Sequence, residues 1–365
     1  MDSLQDIIKK VSMIQEKAVI ATIIQIEGSA YRKEGTMMLF TEGGLRKGMI
    51  SGGCLEEDLA EKAMELMDSS TARAQKVSYD MSHEDDWGWG RGAGCNGVVH
   101  LLLEKVDTCL QSLLHDTQTH LDAGSTVRII KEMIPIEMAQ QKPYPESELK
   151  NVIVHTKIIP SKSKMIGTPI LRKRKPSSRT TEKKTTHQAY FTQIIHPKPN
   201  LIIFGAGLDS HPFAFFSKQS GFSVTIWDWR PSLLDKTVFP HIRLIHTESI
   251  EEAISRTGVG GRDYVVIMTH DFQKDKEILS HIIQMDGLHY IGILGPRRRT
   301  RRLMKGQKNI KTGKSFRTIP PYIHSPIGLP ISAEGPDEIA VSIVAELISV
   351  KREKWNEERA SIESL

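Results

Sequence analysis

The spacing of apolar residues changes character near residue 197. Before that point, Leu4, Ile7, Ile8, Val11 and Ile14 recur at helical spacing and predict an amphipathic first helix. "AVIATIIQIEGSA" (18–30) is a β-branched apolar run, which predicts a buried strand ending at Gly-Ser. "GTMMLFTEGGLRKGMI" (35–50) predicts two strands turning at Glu42-Gly43-Gly44. In "CLEEDLAEKAMELM" (54–67), Leu55, Leu59, Ala63 and Leu66 share one helical face. The strands "QKVSYDM" and "GVVHLLLEKV" follow, separated by the loop "SHEDDWGWGRGAGC". This first stretch reads as an α+β domain over residues 1–106.

Residues 107–196 are less regular. "DTCLQSLLHDTQTHLDAG" predicts a helix stopped by glycine, with Cys109 packed among its leucines. "STVRIIKEM", "ELKNVIVHTKII" and "QAYFTQIIH" predict strands. The basic run "LRKRKPSSRTTEKKTTH" (171–187) reads as a solvated loop or hairpin tip. From Pro197 onward, the short apolar strands "NLIIFGAG", "FSVTIWDWR", "HIRLIH", "DYVVIMTH" and "LHYIGILG" alternate with helical segments. That rhythm predicts a Rossmann-like doubly wound parallel sheet over 197–365, closed by the helix "PDEIAVSIVAELISVKREKW". The fold class expected is therefore α/β, with a C-terminal parallel sheet and an N-terminal α+β domain.

Composition narrows the setting. At 365 residues the chain has room for more than one core. Forty-nine Lys and Arg against 44 Asp and Glu give a net charge of +5, too weak to argue for nucleic acid and compatible with an anionic small ligand. Three cysteines (Cys54, Cys95, Cys109) make no disulfide framework, which favours a reducing compartment. No apolar run is long enough to span a membrane, and the N-terminus lacks the apolar core of a signal peptide. A cytoplasmic protein is expected.

Three places carry candidate chemistry. In "GAGLDS", Gly205 permits a tight turn and Gly207 lets backbone approach a phosphate; Asp228 follows Gly207 by 21 residues, where an acidic group bonds a ribose hydroxyl. The third fingerprint glycine is missing, so a tight strand-to-helix turn without dinucleotide stands beside NAD(P) binding. Thr269, His270 and Asp271 follow one strand, and Arg297, Arg298 and Arg299 follow another, at the ends that face a ligand crevice. The arginines suit an anion or form a solvated helix face. In the N-terminal domain, Cys54 follows Gly52-Gly53 at the start of a helix, whose dipole favours thiolate while Glu56 and Glu57 oppose it. Cys95 follows Gly94 in "RGAGCNG", near Arg91. Two such thiols could ligate a soft metal, carry sulfur, or only pack.

Taken together, "EGSAYRKEGTMMLFTEGG", "GMISGGCLEEDLAEKA", "GAGCNGVVHLLLE", "IIFGAG", "VVIMTHDFQKDKEIL", "YIGILGPRRR" and "SPIGLPISAEGPDEIAVSIVAELI" resemble the XdhC/CoxI family. The resemblance covers about 15–105 and 198–350. It implies an accessory protein of purine catabolism rather than the dehydrogenase itself: a chaperone that binds the molybdenum-molybdopterin cofactor as cargo. Such a chaperone supports sulfuration by a cysteine desulfurase and delivery to apo-xanthine dehydrogenase or a related molybdenum hydroxylase. Cys54 and Cys95 match the family's glycine-flanked cysteines. The family continues Gly-Ala-Gly with His, where this chain has Leu208-Asp209, with His211 nearby. A homodimer is a further expectation; nucleic acid and membrane partners are not. The competing reading is an NAD(P)-dependent oxidoreductase built on Gly205, Gly207 and Asp228.

Overall fold

A computed structural model describes residues 4–81, 97–135, 152–161, 170–173, 189–307, 315–316 and 318–363. Two compact units divide the chain, one of Met1–Pro197 with Glu358–Leu365, the other of Lys198–Glu357.

The first unit opens with α1 (Leu4–Val11), β1 (Ala18–Gly28), β2 (Met37–Thr41), β3 (Arg46–Gly48), α2 (Glu56–Asp68), β4 (Ala74–Asp80) and β5 (Gly97–Lys105). The strands form an antiparallel sheet in the order β3-β2-β1-β5-β4. β1 is buried along most of its length because both of its faces are covered. On one face, Val19, Ala21 and Ile23 meet Leu55, Leu59, Ala63 and Leu66 of α2, the face the periodicity predicts. On the other, Ile20 and Leu39 meet α1 and α3 (Thr108–Asp122).

A second antiparallel sheet, β7-β6-β9-β8, comes from β6 (Thr126–Pro135), β7 (Val152–Ser161), β8 (Ile170–Lys173) and β9 (Ala189–Ile195). The first residues of the basic run, 171–173, are thus strand rather than loop, paired with β9; residues 174–187 lie outside the described residues. Met133, Val152 and Phe191 of this sheet close over Ile24, Ala74 and Leu102 of the first. Among these apolar residues the Lys131 ammonium donates to Glu104, both side chains almost wholly buried, so neither charge is left unpaired. Cys109 departs from expectation. It is exposed, because α3 buries the stripe Leu114, Thr117 and Leu121 and leaves Cys109 outside it.

In the second unit strands and helices follow one another: β10 (Asn200–Phe204), α4 (Ser210–Gln219), β11 (Ser223–Asp228), a short 3-10 helix (Pro231–Leu233), β12 (Arg243–His246), α5 (Ile250–Thr257), β13 (Tyr264–Ile267), α6 (Phe272–Ile282), β14 (Tyr290–Ile293), α7 (Arg297–Met304), β15 (Ile323–His324) and α8 (Gly335–Glu363), which belongs to this unit as far as Glu357. The strands are parallel in the order β12-β11-β10-β13-β14-β15, the doubly wound arrangement predicted. Side chains alternate across the sheet. Leu201 and Ile203 pack with α4 and α8, while Ile202 and Phe204 pack with α5, α6 and α7.

At the β15 edge, Glu346 of α8 gathers three segments. It accepts from the Tyr290 hydroxyl, from the Gly328 N–H at 2.9 Å and from His324 Nδ1 at 3.0 Å. The His324 and Tyr290 rings stack at 4.3 Å. Burial, together with the Glu346 charge, raises the Tyr290 pKa well above the ordinary phenol value.

Candidate functional site

The sequence-derived candidates fall in two places, a glycine loop in the first unit and the carboxyl edge of the parallel sheet in the second.

The loop before α2 is built around Glu56. Its Oε1 accepts the N–H groups of Ile50 (3.1 Å) and Ser51 (2.7 Å), and its Oε2 accepts the Ser51 hydroxyl and the Leu55 N–H (3.3 Å). The Ser51 oxygen in turn accepts from Gly53 (3.2 Å) and Leu55 (3.1 Å). Burial raises the Glu56 pKa, but the Ser51 hydroxyl and the backbone donors outweigh it, leaving the carboxyl below its ordinary range. Glu57 faces away and pairs with Arg46 at 2.5 and 3.0 Å. Both acidic residues that follow Cys54 are therefore engaged by other groups. Among the described residues, no atom lies within 4 Å of where a Cβ on Gly52 or Gly53 would sit, and Gly53 takes φ +116. Cys54 is half-buried, packed at the margin of the α2 core and two residues before α2 begins. Cys95 and Gly94 lie outside the described residues, as does Arg91. Among the described residues, no group of three His, Cys, Asp or Glu could hold a metal ion.

In the parallel sheet the order of strands reverses between β10 and β13, and a ligand crevice lies outside the strand ends at such a point. Two loops meet there. Gly205 takes φ +122, and a Cβ on it would stand 2.5 Å from the Met268 carbonyl oxygen and 2.9 Å from Thr269 Cα; only glycine fits. Across the crevice, His270 at φ +63 brings its Nε2 to 2.8 Å from Asp209 Oδ2. Asp209 Oδ1 is buried with no partner among the described residues, 3.0 Å from where a Cβ on Gly207 would sit. Beside this pair, Leu208 is 93% exposed. His211 turns instead to Phe239, edge to face at 6.0 Å.

Thr269 and Asp271 hold the turn. The Thr269 hydroxyl donates to Asp275 at 2.5 Å, and Asp271 caps α6 by accepting the Lys274 N–H at 2.8 Å. Of the three arginines, Arg299 already has an anion, the buried Asp275 carboxylate at 2.5 Å. Arg297 and Arg298 are exposed at the start of α7.

Asp228 is the candidate whose surroundings differ most from the role its spacing suggests. It is fully buried, and four donors fill its carboxylate. These are the Ala206 N–H (2.8 Å), the Arg230 N–H (2.9 Å), and Arg230 Nε and Nη2, both at 2.9 Å. Burial raises its pKa; the Arg230 guanidinium and the two backbone donors bring it below the ordinary carboxylate range. Ala206 thus spends its N–H on Asp228, and a ribose hydroxyl would have to displace one of these donors.

Sequence reasoning missed what Asp228 organises. Arg230 lies over the Trp229 ring with Cζ 4.3 Å from its centroid, and Lys274 Nζ stands over the same ring at 6.0 Å. The signal was present in "DWR", a carboxylate with an arginine two residues on.

Two family models match the chain: one described as the XdhC and CoxI family over residues 14–80, the other as the XdhC Rossmann domain over 201–347. A Bacillus subtilis protein, described as a probable xanthine dehydrogenase subunit, is 36% identical over 346 residues, 93% of this chain and 94% of its own length. The chain belongs to the XdhC and CoxI family. A second relative, the Escherichia coli molybdenum cofactor insertion chaperone PaoD, is 24% identical over 336 residues, 92% of this chain and 83% of that protein. A crystal structure described as a xanthine dehydrogenase from Bacillus halodurans shares 37% identity, with a TM-score of 0.74 over 96% of each chain. The family's Rossmann domain is thus the unit that carries the crevice. No helix among the described residues is long and apolar enough to cross a membrane.

Proposed function

We propose that the protein is an accessory factor for xanthine dehydrogenase or a related molybdenum hydroxylase. It binds the molybdenum-molybdopterin cofactor as cargo, supports its sulfuration by a cysteine desulfurase, and inserts it into the apo-enzyme. The observation that carries this reading is the near full-length similarity to PaoD, a protein named for molybdenum cofactor insertion.

The crevice suits such a cargo. Asp209 Oδ1 is an orphaned acceptor, Gly207 leaves space beside it, and His270, Arg230 and Lys274 offer donors and positive charge around the same strand ends. In the first unit, Cys54 on its braced loop is the candidate thiol, with Cys95 as its proposed companion. Soft sulfur donors match molybdenum–sulfur chemistry. The competing reading, NAD(P)-dependent oxidation, has less support, since the carboxylate that would bond ribose is filled by Arg230 and Ala206.

The deciding experiment incubates the purified protein with molybdenum cofactor, separates it by gel filtration and quantifies molybdenum and pterin. Co-elution of both with the protein is expected; protein that emerges without either overturns the proposal. The variants Cys54→Ala and Cys95→Ala should keep their fold and lose sulfurated cofactor. Undiminished activation of apo-dehydrogenase by the double variant removes the thiol role.

A further inference from the structure

We propose that the outward face of the Arg230 guanidinium is a stacking platform for a flat nitrogen heterocycle bearing an anionic group. Three observations converge on this plane. Its edge is taken by Asp228 through Nε and Nη2, both at 2.9 Å, which fixes its orientation. The Trp229 indole backs it at 4.3 Å. Even so held, the side chain remains 39% exposed, whereas Asp228 is closed from solvent.

A guanidinium that served only to neutralise Asp228 needs no aromatic backing. A delocalised, weakly hydrated plane fixed at its edge and on one face is pre-organised to stack a planar ring on the other, with little conformational entropy left to lose. The location agrees. Asp228 ends the strand next to β10, so the platform stands at the strand ends beside the glycine turn. Lys274 Nζ, 6.0 Å from the Trp229 centroid, meets Glu277 only at a loose 3.7 Å and supplies charge for the anionic group. Asp228 and Trp229 are positioning residues, and Arg230 makes the contact. The proposed cargo reading enters only in naming the heterocycle: a pterin fits it, and an adenine nucleotide shares the chemistry.

Equilibrium dialysis of the full chain against pterin-6-carboxylate, uncharged 6-hydroxymethylpterin, adenosine monophosphate and inorganic phosphate tests this. Arg230→Lys, which keeps the charge beside Asp228 and loses the plane, should weaken pterin-6-carboxylate binding by roughly five- to a hundredfold. Trp229→Leu should weaken it in the same direction. Lys274→Ala should weaken pterin-6-carboxylate and spare 6-hydroxymethylpterin. Melting curves show which variants remain folded, and Trp229→Phe, which keeps an aromatic backing, should bind nearly as wild type.

Folded Arg230→Lys and Trp229→Leu proteins that bind as wild type overturn the platform, as does inorganic phosphate displacing the pterin at equal concentration. Adenosine monophosphate binding more tightly than the pterin, with the same sensitivity to Arg230→Lys, supports the platform and assigns it to a nucleotide. Wild-type protein that retains molybdenum cofactor on gel filtration while Arg230→Lys retains it equally sinks the platform and leaves the cargo reading standing.

Discussion

Gly53 takes φ +116 with no atom of the described residues near the place of a missing Cβ, whereas Gly205 takes φ +122 with the Met268 carbonyl oxygen 2.5 Å from that place. In sequence the two turns look alike, glycines between a strand and a helix. Each is also tied by a carboxylate of its own chain, Glu56 in one and Asp228 in the other. The difference lies in what surrounds the glycine. At Gly53 glycine answers a backbone angle alone, and at Gly205 it answers both an angle and the close approach of the turn that follows β13. A glycine-rich motif is thus not one physical signal, and only the second turn has its shape fixed from both sides.

Substitutions that separate the two requirements sharpen this contrast. Gly205→Ala should destabilise the second unit most, on the order of 4 kcal/mol from strain and overlap together, read as a lowered urea midpoint. Asp228→Asn removes the charge opposite Arg230. Because Arg230 is partly exposed, a loss of about 2 kcal/mol is expected in thermal denaturation, below that of a fully buried pair. Glu56→Gln should cost about 1–2 kcal/mol by loosening the Ser51 and Ile50 donors. Gly53→Ala should cost about 1 kcal/mol from its angle, and Gly52→Ala, with open space and no such angle, less than about 0.5 kcal/mol. Equal costs at Gly53 and Gly205 would erase the distinction.

Acid acts on the two carboxylates alike. Glu56 and Asp228 both have pKa values below their ordinary ranges. A depressed folded-state pKa means stability that is complete above the unfolded-state value, about 4, and is lost as pH falls through the folded value. Melting temperature should therefore drop below about pH 4, and Asp228→Asn should flatten that drop.

Much of the second unit was legible because five of its six parallel strands lie in short runs closed by turns, so the doubly wound class and its crevice followed from that rhythm, whereas the strand order and the two-residue β15 (Ile323–His324) did not. The site was less legible. The 21-residue spacing located Asp228 but could not report that Arg230 fills it, since spacing carries no information on which donors a buried carboxylate collects. The Arg299–Asp275 pair joins residues 24 apart on different helices, which hid the internal anion of that arginine. In the first unit, individual strands were visible between 126 and 195, but their joining into one sheet depends on partners as distant as Val127 and Ile195. Cys109 was misread because helical neighbours of a leucine can face outward.

The gathering of Tyr290, His324 and Gly328 on Glu346 has a consequence for how the second unit breathes. One carboxylate ties β14, β15 and α8 together, so none of these can open without leaving a buried partner unbonded. Local fluctuations that would free the edge strand alone, or fray the helix at its centre, are suppressed in favour of a single larger opening. In hydrogen exchange, the amides of Ile323 and of α8 around Glu346 should therefore behave as one cooperative unit with a shared opening free energy.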